Sequence, residues 1–212
     1  MKTDEWKAFN QKQRVVGTKR ISSGLNELRS IAKIQDEEGR PGFHYAAINR
    51  SILRVGAGKL SHGASVDFEA LAPCDADIAA FHQMLSTTPA AVSRVTSFDR
   101  NDVSVPIWLR VAGYRVLLGA DLEVVPDPAR GWNAVFNSLA QLDGIADLIK
   151  IAHHGSENGH HPGIWQNHVA GDPIAILSPW NRGAKRPSER DVARIVDRAP
   201  RAYSSSRLDK KP

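Results

Sequence analysis

Residues 146–156 read Ala-Asp-Leu-Ile-Lys-Ile-Ala-His-His-Gly-Ser, a short apolar run that stops at two adjacent histidines, a glycine and a serine. The segment 148–152 is too short for a typical helix and is β-branched at Ile149 and Ile151. It therefore predicts a largely buried strand whose C-terminal end delivers His153 and His154 into a loop. What the rest of the chain brings to meet these histidines decides both fold and function.

Downstream, His160, His161 and Pro162 fall in the continuing loop, and 163–170 predicts a short helix carrying Trp165. Residues 173–177, Pro-Ile-Ala-Ile-Leu, predict another buried strand that stops at Ser178-Pro-Trp-Asn181. Ser188 followed by Asp191 makes a capping-box pattern for a last helix that buries Val192, Ile195 and Val196. Upstream, residues 105–118 carry the plainest hairpin: Ile107, Leu109 and Val111 alternate, Ala112-Gly113 turns, and Tyr114 to Leu118 returns towards Gly119-Ala-Asp121. A helix over 132–142 with Val135, Phe136 and Leu139 inward leads into the opening strand. Residues 66–71 alternate as a half-buried strand, and Asp75 is placed to cap a helix over 76–85 that buries Ile78, Phe81 and Leu85.

The first 40 residues carry two helical patterns, 4–15 and 22–38, and 45–55 reads as irregular or extended chain. His44 and His62 read as surface histidines, and His82 as a partly exposed one. The expected division is a helical segment 1–40, a domain 41–200 and a flexible tail 201–212.

The chain of 212 residues with 42% hydrophobic content is long enough for a sizeable core. The polar start and the lack of any apolar run near the ~20 residues that span a bilayer predict a cytoplasmic protein with no membrane association. One cysteine, Cys74, excludes an intramolecular disulfide and a cysteine-rich zinc site, and reads as a packed small residue. The net charge of +5 permits a polyanionic partner such as nucleic acid.

Three predicted strands thus end in polar groups: Asp121, then His153 and His154, then Ser178 with Asn181. If they run side by side in one direction, these ends meet at one sheet edge, where sheets flanked by helices bind ligands. A carboxylate and imidazoles there suit zinc, whose bound water loses a proton near neutral pH and serves hydrolysis of a phosphate or an amide. The other reading is of buried polar groups that hydrogen-bond loop backbone.

The order Asn101-x-x-Ser104 before the hairpin, Leu118-Gly-Ala-Asp121-Leu-Glu123 at its end, Ala146-Asp-x-x-Lys150-x-x-His-His-Gly-Ser156, then Asn181-x-Gly183 with Arg186-Pro187, resembles the second half of the metallo-β-lactamase-fold hydrolases, in the subgroup of the ComEC-like DNA-uptake proteins. The resemblance covers roughly residues 60–198. It implies an α/β (α+β) fold, part of an αββα sandwich around two zinc ions, and a nuclease or phosphodiesterase lineage. It implies Asp121 as a bridging carboxylate and His153 or His154 as a metal ligand or phosphate contact. Ser156, Asn101, Asn181 and Arg186 become substrate-contacting positions, with Asn101 where other branches carry histidine.

The family's first-half signature, His-x-His-x-Asp-His, is absent, and Arg186 stands where a late histidine precedes proline. Two readings follow. One is a metal-dependent hydrolase, truncated or completed by another polypeptide that supplies the missing ligands. The other is a catalytically inactive binding or assembly domain that uses Arg182, Lys185, Arg186 and Arg190. Half of a two-sheet sandwich exposes an apolar sheet face, so a homodimer or a second polypeptide is expected to cover it.

Overall fold

The computed structural model describes residues 46–60, 63–87, 100–138, 144–181, 183 and 185–206. The expected helices at 4–15 and 22–38, His44, His62 and Arg182 lie outside them. The chain divides into two compact units, 1–45 with 86–97 and 46–85 with 98–212. Apart from the last two residues of the helix that ends at Thr87, the elements below belong to the second unit.

That unit is mixed α/β: one seven-stranded mixed sheet and, among the described residues, four α-helices. In chain order these are β1 (Arg50–Val55), β2 (Val66–Ala70), α1 (Asp75–Thr87), β3 (Ile107–Val111), β4 (Tyr114–Leu118), α2 (Gly131–Ser138), β5 (Ala146–Lys150), α3 (Pro162–His168), β6 (Val169–Leu177), α4 (Glu189–Arg198) and β7 (Arg201–Ser204). Strand order follows the sequence, β1 to β7. The first four strands form an antiparallel meander, and β4, β5, β6 and β7 run parallel. The switch has a local cause: the two-residue Ala112-Gly113 turn allows only an antiparallel return, with φ of 50° and 86° at its two positions, whereas each later strand follows a helix.

The register separates two faces. Glu69, Trp108, Leu117, Ile149, Ala175 and Ala202 line up across β2 to β7 on one face. Of these, Trp108, Leu117, Ile149 and Ala175 join Trp132 and Val135 of α2, Ile164 and Trp165 of α3 and Ile195 of α4 in one buried cluster. The opposite face aligns Phe68, Leu109, Val116, Leu148 and Ile174 in one row, and Ile107, Leu118, Lys150, Ile176 and Tyr203 in the next. It is apolar too, yet Leu53, Ile174, Ile176 and Tyr203 remain 48%, 37%, 36% and 60% exposed.

The hairpin and the Ser188 capping box form as the pattern predicts, and the strand before the histidines forms over Ala146–Lys150 rather than the expected 148–152. In the box, Asp191 N donates to Ser188 Oγ at 3.2 Å and Ser188 N donates to Asp191 Oδ2 at 2.9 Å. Residues 50–55 form β1, the extended one of the two forms expected there. Four expectations change. Residues 201–204 are not tail but strand β7, held by parallel pairing to β6. Helix α1 is entered from Cys74, whose buried Sγ accepts from Asp77 N at 3.4 Å, so Asp75 lies inside the helix instead of capping it. Val196 is 53% exposed, because Ile195 and Asp191 take the inward side of α4. The helix predicted over 163–170 ends at His168, since β6 begins at Val169. No described helix is long and apolar enough to cross a membrane.

Candidate functional site

Because β4, β5 and β6 are parallel neighbours, their C-terminal ends emerge at one sheet edge and bring Asp121, the two histidines and Ser178 together there. The chain exits are packed tightly. Gly119 N donates to Lys150 O at 2.9 Å, His153 N to Ala120 O at 3.0 Å and Ile151 N to Ile176 O at 2.9 Å. A Cβ on Gly119 would lie 2.8 Å from Ala152 Cβ, so the first exit requires glycine. Ala120, His153 and His154 take positive φ of 47°, 40° and 54°. Left-handed backbone at a non-glycine residue costs on the order of 1 kcal/mol each, and such strain collects where geometry serves function.

Two clusters result, one open and one closed. In the open one, His154 Nδ1 lies 2.8 Å from Ser178 O. A carbonyl only accepts, so Nδ1 carries a proton, and in the neutral ring Nε2 keeps its lone pair. That Nε2 stands 3.7 Å from Asp121 Oδ1, whose side chain is 42% exposed. The His154 ring lies against Trp180, with centroids 5.3 Å apart and planes tilted by 37°.

In the closed cluster Glu123 is the hub. Its Oε1 accepts from Asn101 Nδ2 at 2.7 Å and its Oε2 from Asn158 Nδ2 at 2.6 Å. His153 Nδ1 is 3.1 Å from Glu123 Oε1 but lies off the line of a hydrogen bond, and the atom is buried without a hydrogen-bond partner. His153 Nε2 is 3.4 Å from Asn101 Nδ2. Ser156 is buried, its hydroxyl 2.8 Å from His153 O and 2.6 Å from Asn158 Oδ1. It is placed to hold the loop rather than a substrate.

Asp121, His153 and His154, expected together as ligands, are therefore shared between two clusters. Among the described residues no group of three or more His, Cys, Asp or Glu side chains is placed to hold one metal ion. A catalytic zinc takes three protein ligands and a structural one four. Asp121 and His154 supply two, and the tie from His154 Nδ1 to a carbonyl is the kind of support a metal-bound imidazole receives. These residues alone do not fit a zinc pair.

Asn181 and Arg186 are exposed beside the open cluster. Trp180 N donates to Arg186 O and Arg186 N to Trp180 O, both at 2.9 Å, closing the intervening loop as a two-residue ladder. Asn101 lies in the closed cluster, turned to Glu123. Lys150, on the less covered sheet face, has its pKa lowered by burial, partly offset by the Asp121 carboxylate.

His160 and His161 serve packing. His161 Nδ1 accepts from Ile164 N at 3.3 Å to cap α3, and His160 packs on Trp165 with ring centroids 5.5 Å apart. Burial, with Arg194, Arg198 and His161 nearby, lowers the His160 pKa to about 4. Away from the edge, Cys74 is buried, with Sγ 2.9 Å from Asp77 Oδ2, and its thiol pKa is pushed up by burial. It is a packed residue, not a nucleophile.

Sequence reading assigned no role to Glu123, Asn158 or Trp180. Glu123 carried a signal, two positions after Asp121 in the same turn, whereas Asn158 and Trp180 become visible only through contacts across loops. Compared with known proteins, the chain matches no family model, no curated protein and no solved structure.

Proposed function

We propose that the chain is a phosphodiesterase-lineage domain of the metallo-β-lactamase fold, its sheet one half of an αββα sandwich, and that metal-dependent hydrolysis at its strand-end edge needs ligands from outside these residues. A second polypeptide or a second copy that covers the apolar sheet face is the source that fits both needs. The observation that carries the reading is the pair Asp121 and His154, delivered by adjacent parallel strands to 3.7 Å, with His154 oriented by Ser178 O. With the His154 ring neutral, the pair offers an imidazole lone pair and a carboxylate facing one point, which is what proton transfer or metal ligation requires. The proposed metal is zinc, for which carboxylate and imidazole are both ligands, although two such residues fall short of the three protein ligands a catalytic zinc takes.

A second reading, an inactive binding or assembly domain, is favoured by one observation. Glu123 is fully engaged by Asn101 and Asn158, so the edge offers two free donor residues rather than a shell. Bis-p-nitrophenyl phosphate separates the readings. On its addition the His154 ring signals should shift in NMR spectra, while turnover with zinc or manganese by the chain alone should stay at background. Unmoved His154 signals would remove the phosphodiester site. Metal-dependent turnover abolished by Asp121→Asn would show a complete site in one chain.

A further inference from the structure

We propose that Trp180 and Arg186 form a clamp for one unpaired nucleotide of a single-stranded nucleic acid, the indole stacking on the base and the guanidinium holding the phosphate. The inference rests on the phosphodiester reading for its location, and gives that site a substrate class and two recognition residues.

Trp180 is 43% exposed at the end of β6, although a tryptophan offers more apolar area for burial than any other side chain. One side of its indole meets the His154 ring at 5.3 Å, so a base placed on the open side extends a stack that already begins at His154. Stacking on an aromatic platform does not depend on base identity, because every base has a π-face. The backbone that carries the indole is held, since it exchanges two hydrogen bonds of 2.9 Å with Arg186.

That exchange also fixes where the charge goes. Residues opposite one another in a hydrogen-bonded antiparallel pair send their side chains to the same side of the ribbon, about 5.5 Å apart at Cα. The exposed Arg186 guanidinium is therefore projected beside the indole, with exposed Lys185 next in the chain and exposed Arg190 in the first turn of α4. A flat apolar surface beside a guanidinium fork matches a nucleotide, which joins a flat base to a phosphate diester. A duplex hides the base faces, so the clamp requires an unpaired nucleotide. His154 and Asp121 stand at the clamp's inner end, where the next phosphodiester would lie.

The test is fluorescence anisotropy with end-labelled 12-nucleotide oligo-dT, oligo-U and a duplex of the same length. The full chain and its Trp180→Ala, Trp180→Phe and Arg186→Gln variants are compared after thermal melting shows them equally folded. Trp180→Ala should weaken single-strand binding about 5- to 150-fold, with Trp180→Phe restoring most of it. Arg186→Gln should weaken binding and reduce the slope of log Kd against log salt by about one. The duplex should bind more weakly than either single strand. The dT and U arms tell DNA from RNA, and competition by free thymidine monophosphate tells a strand from a mononucleotide. Binding unaffected by Trp180→Ala, duplex bound as tightly as single strands, or no oligonucleotide bound at all would each overturn the clamp. Because this readout needs no hydrolysis, loss of strand binding in Trp180→Ala beside unmoved His154 signals would keep the clamp and remove the hydrolytic reading.

Discussion

On β3 and β4, Trp108 and Leu117 are 0% and 1% exposed, whereas on the other face of β6 Ile174 and Ile176 keep 37% and 36% of their surface in contact with water. Both faces are built from residues suited to burial. In β6 the run from Pro173 to Leu177 is apolar at every position, the composition of a strand covered on both sides, yet exposure alternates along it. On one face the described helices supply Trp132, Val135, Ile164, Trp165 and Ile195 as a lid. On the other, leaving apolar surface wet forgoes about 25 cal/mol per Å² that a cover would recover. The same contrast recurs at the strand-end edge. Glu123 is engaged from two sides by Asn101 and Asn158, whereas Asp121 and His154 face each other at 3.7 Å. Among the described residues, then, one sheet face is covered and one is not, and one edge cluster is closed and one open.

The largest effect is expected on the covered face. Trp108→Ala removes the largest fully buried side chain from beneath the helices and should cost about 3–5 kcal/mol, enough to unfold much of the protein in a urea titration. A wild-type-like midpoint would mean that the covered face is not the core.

A smaller effect concerns pH. The pKa of His160 falls from an ordinary 6.5 to about 4 because the ring is buried against Trp165 beside Arg194 and Arg198. The unfolded chain binds this proton first on acidification. The stability contributed by the neutral ring is therefore complete above about pH 6.5 and is lost as pH falls towards 4. Melting temperature should decline across that window, and less steeply in His160→Asn, while an NMR titration of the His160 ring should centre near 4. A ring titrating at its ordinary value would place His160 outside the packed layer. Asp191, whose pKa is lowered by Ser188 and Arg194 against the opposing effect of burial, adds its own loss only in stronger acid.

The smallest effect belongs to the exposed face. Ile176→Thr should change monomer stability by no more than about 0.5 kcal/mol and should reduce concentration-dependent association in sedimentation. A core-sized loss of stability would show that this face is already closed within the chain.

Much of this was legible where the determinant is local. Ala112-Gly113 sets a hairpin and Ser188 with Asp191 sets a helix start, each within a few residues. The shared edge was legible as well, because three apolar runs stop at polar groups. What was not legible depends on distance along the chain. The seventh strand is defined by pairing Ala202 with Ala175, which no pattern within 201–204 announces. The two histidines are adjacent in sequence and looked equivalent. Positive φ at both turns His153 towards Glu123 and Asn101, 22 positions apart from each other, and His154 towards Asp121 and Ser178. Trp180 looked like a loop residue until its ladder with Arg186 gave it a fixed neighbour.

The central proposal is that the described residues make one wall of a metal site and not the whole of it. Zinc content per chain, measured by mass spectrometry on purified protein after exposure to zinc and removal of the excess, tests it most directly. The account predicts well under one tightly held zinc per chain, because Asp121 and His154 are two ligands where three are needed. Retention of close to two zinc ions per chain would contradict it.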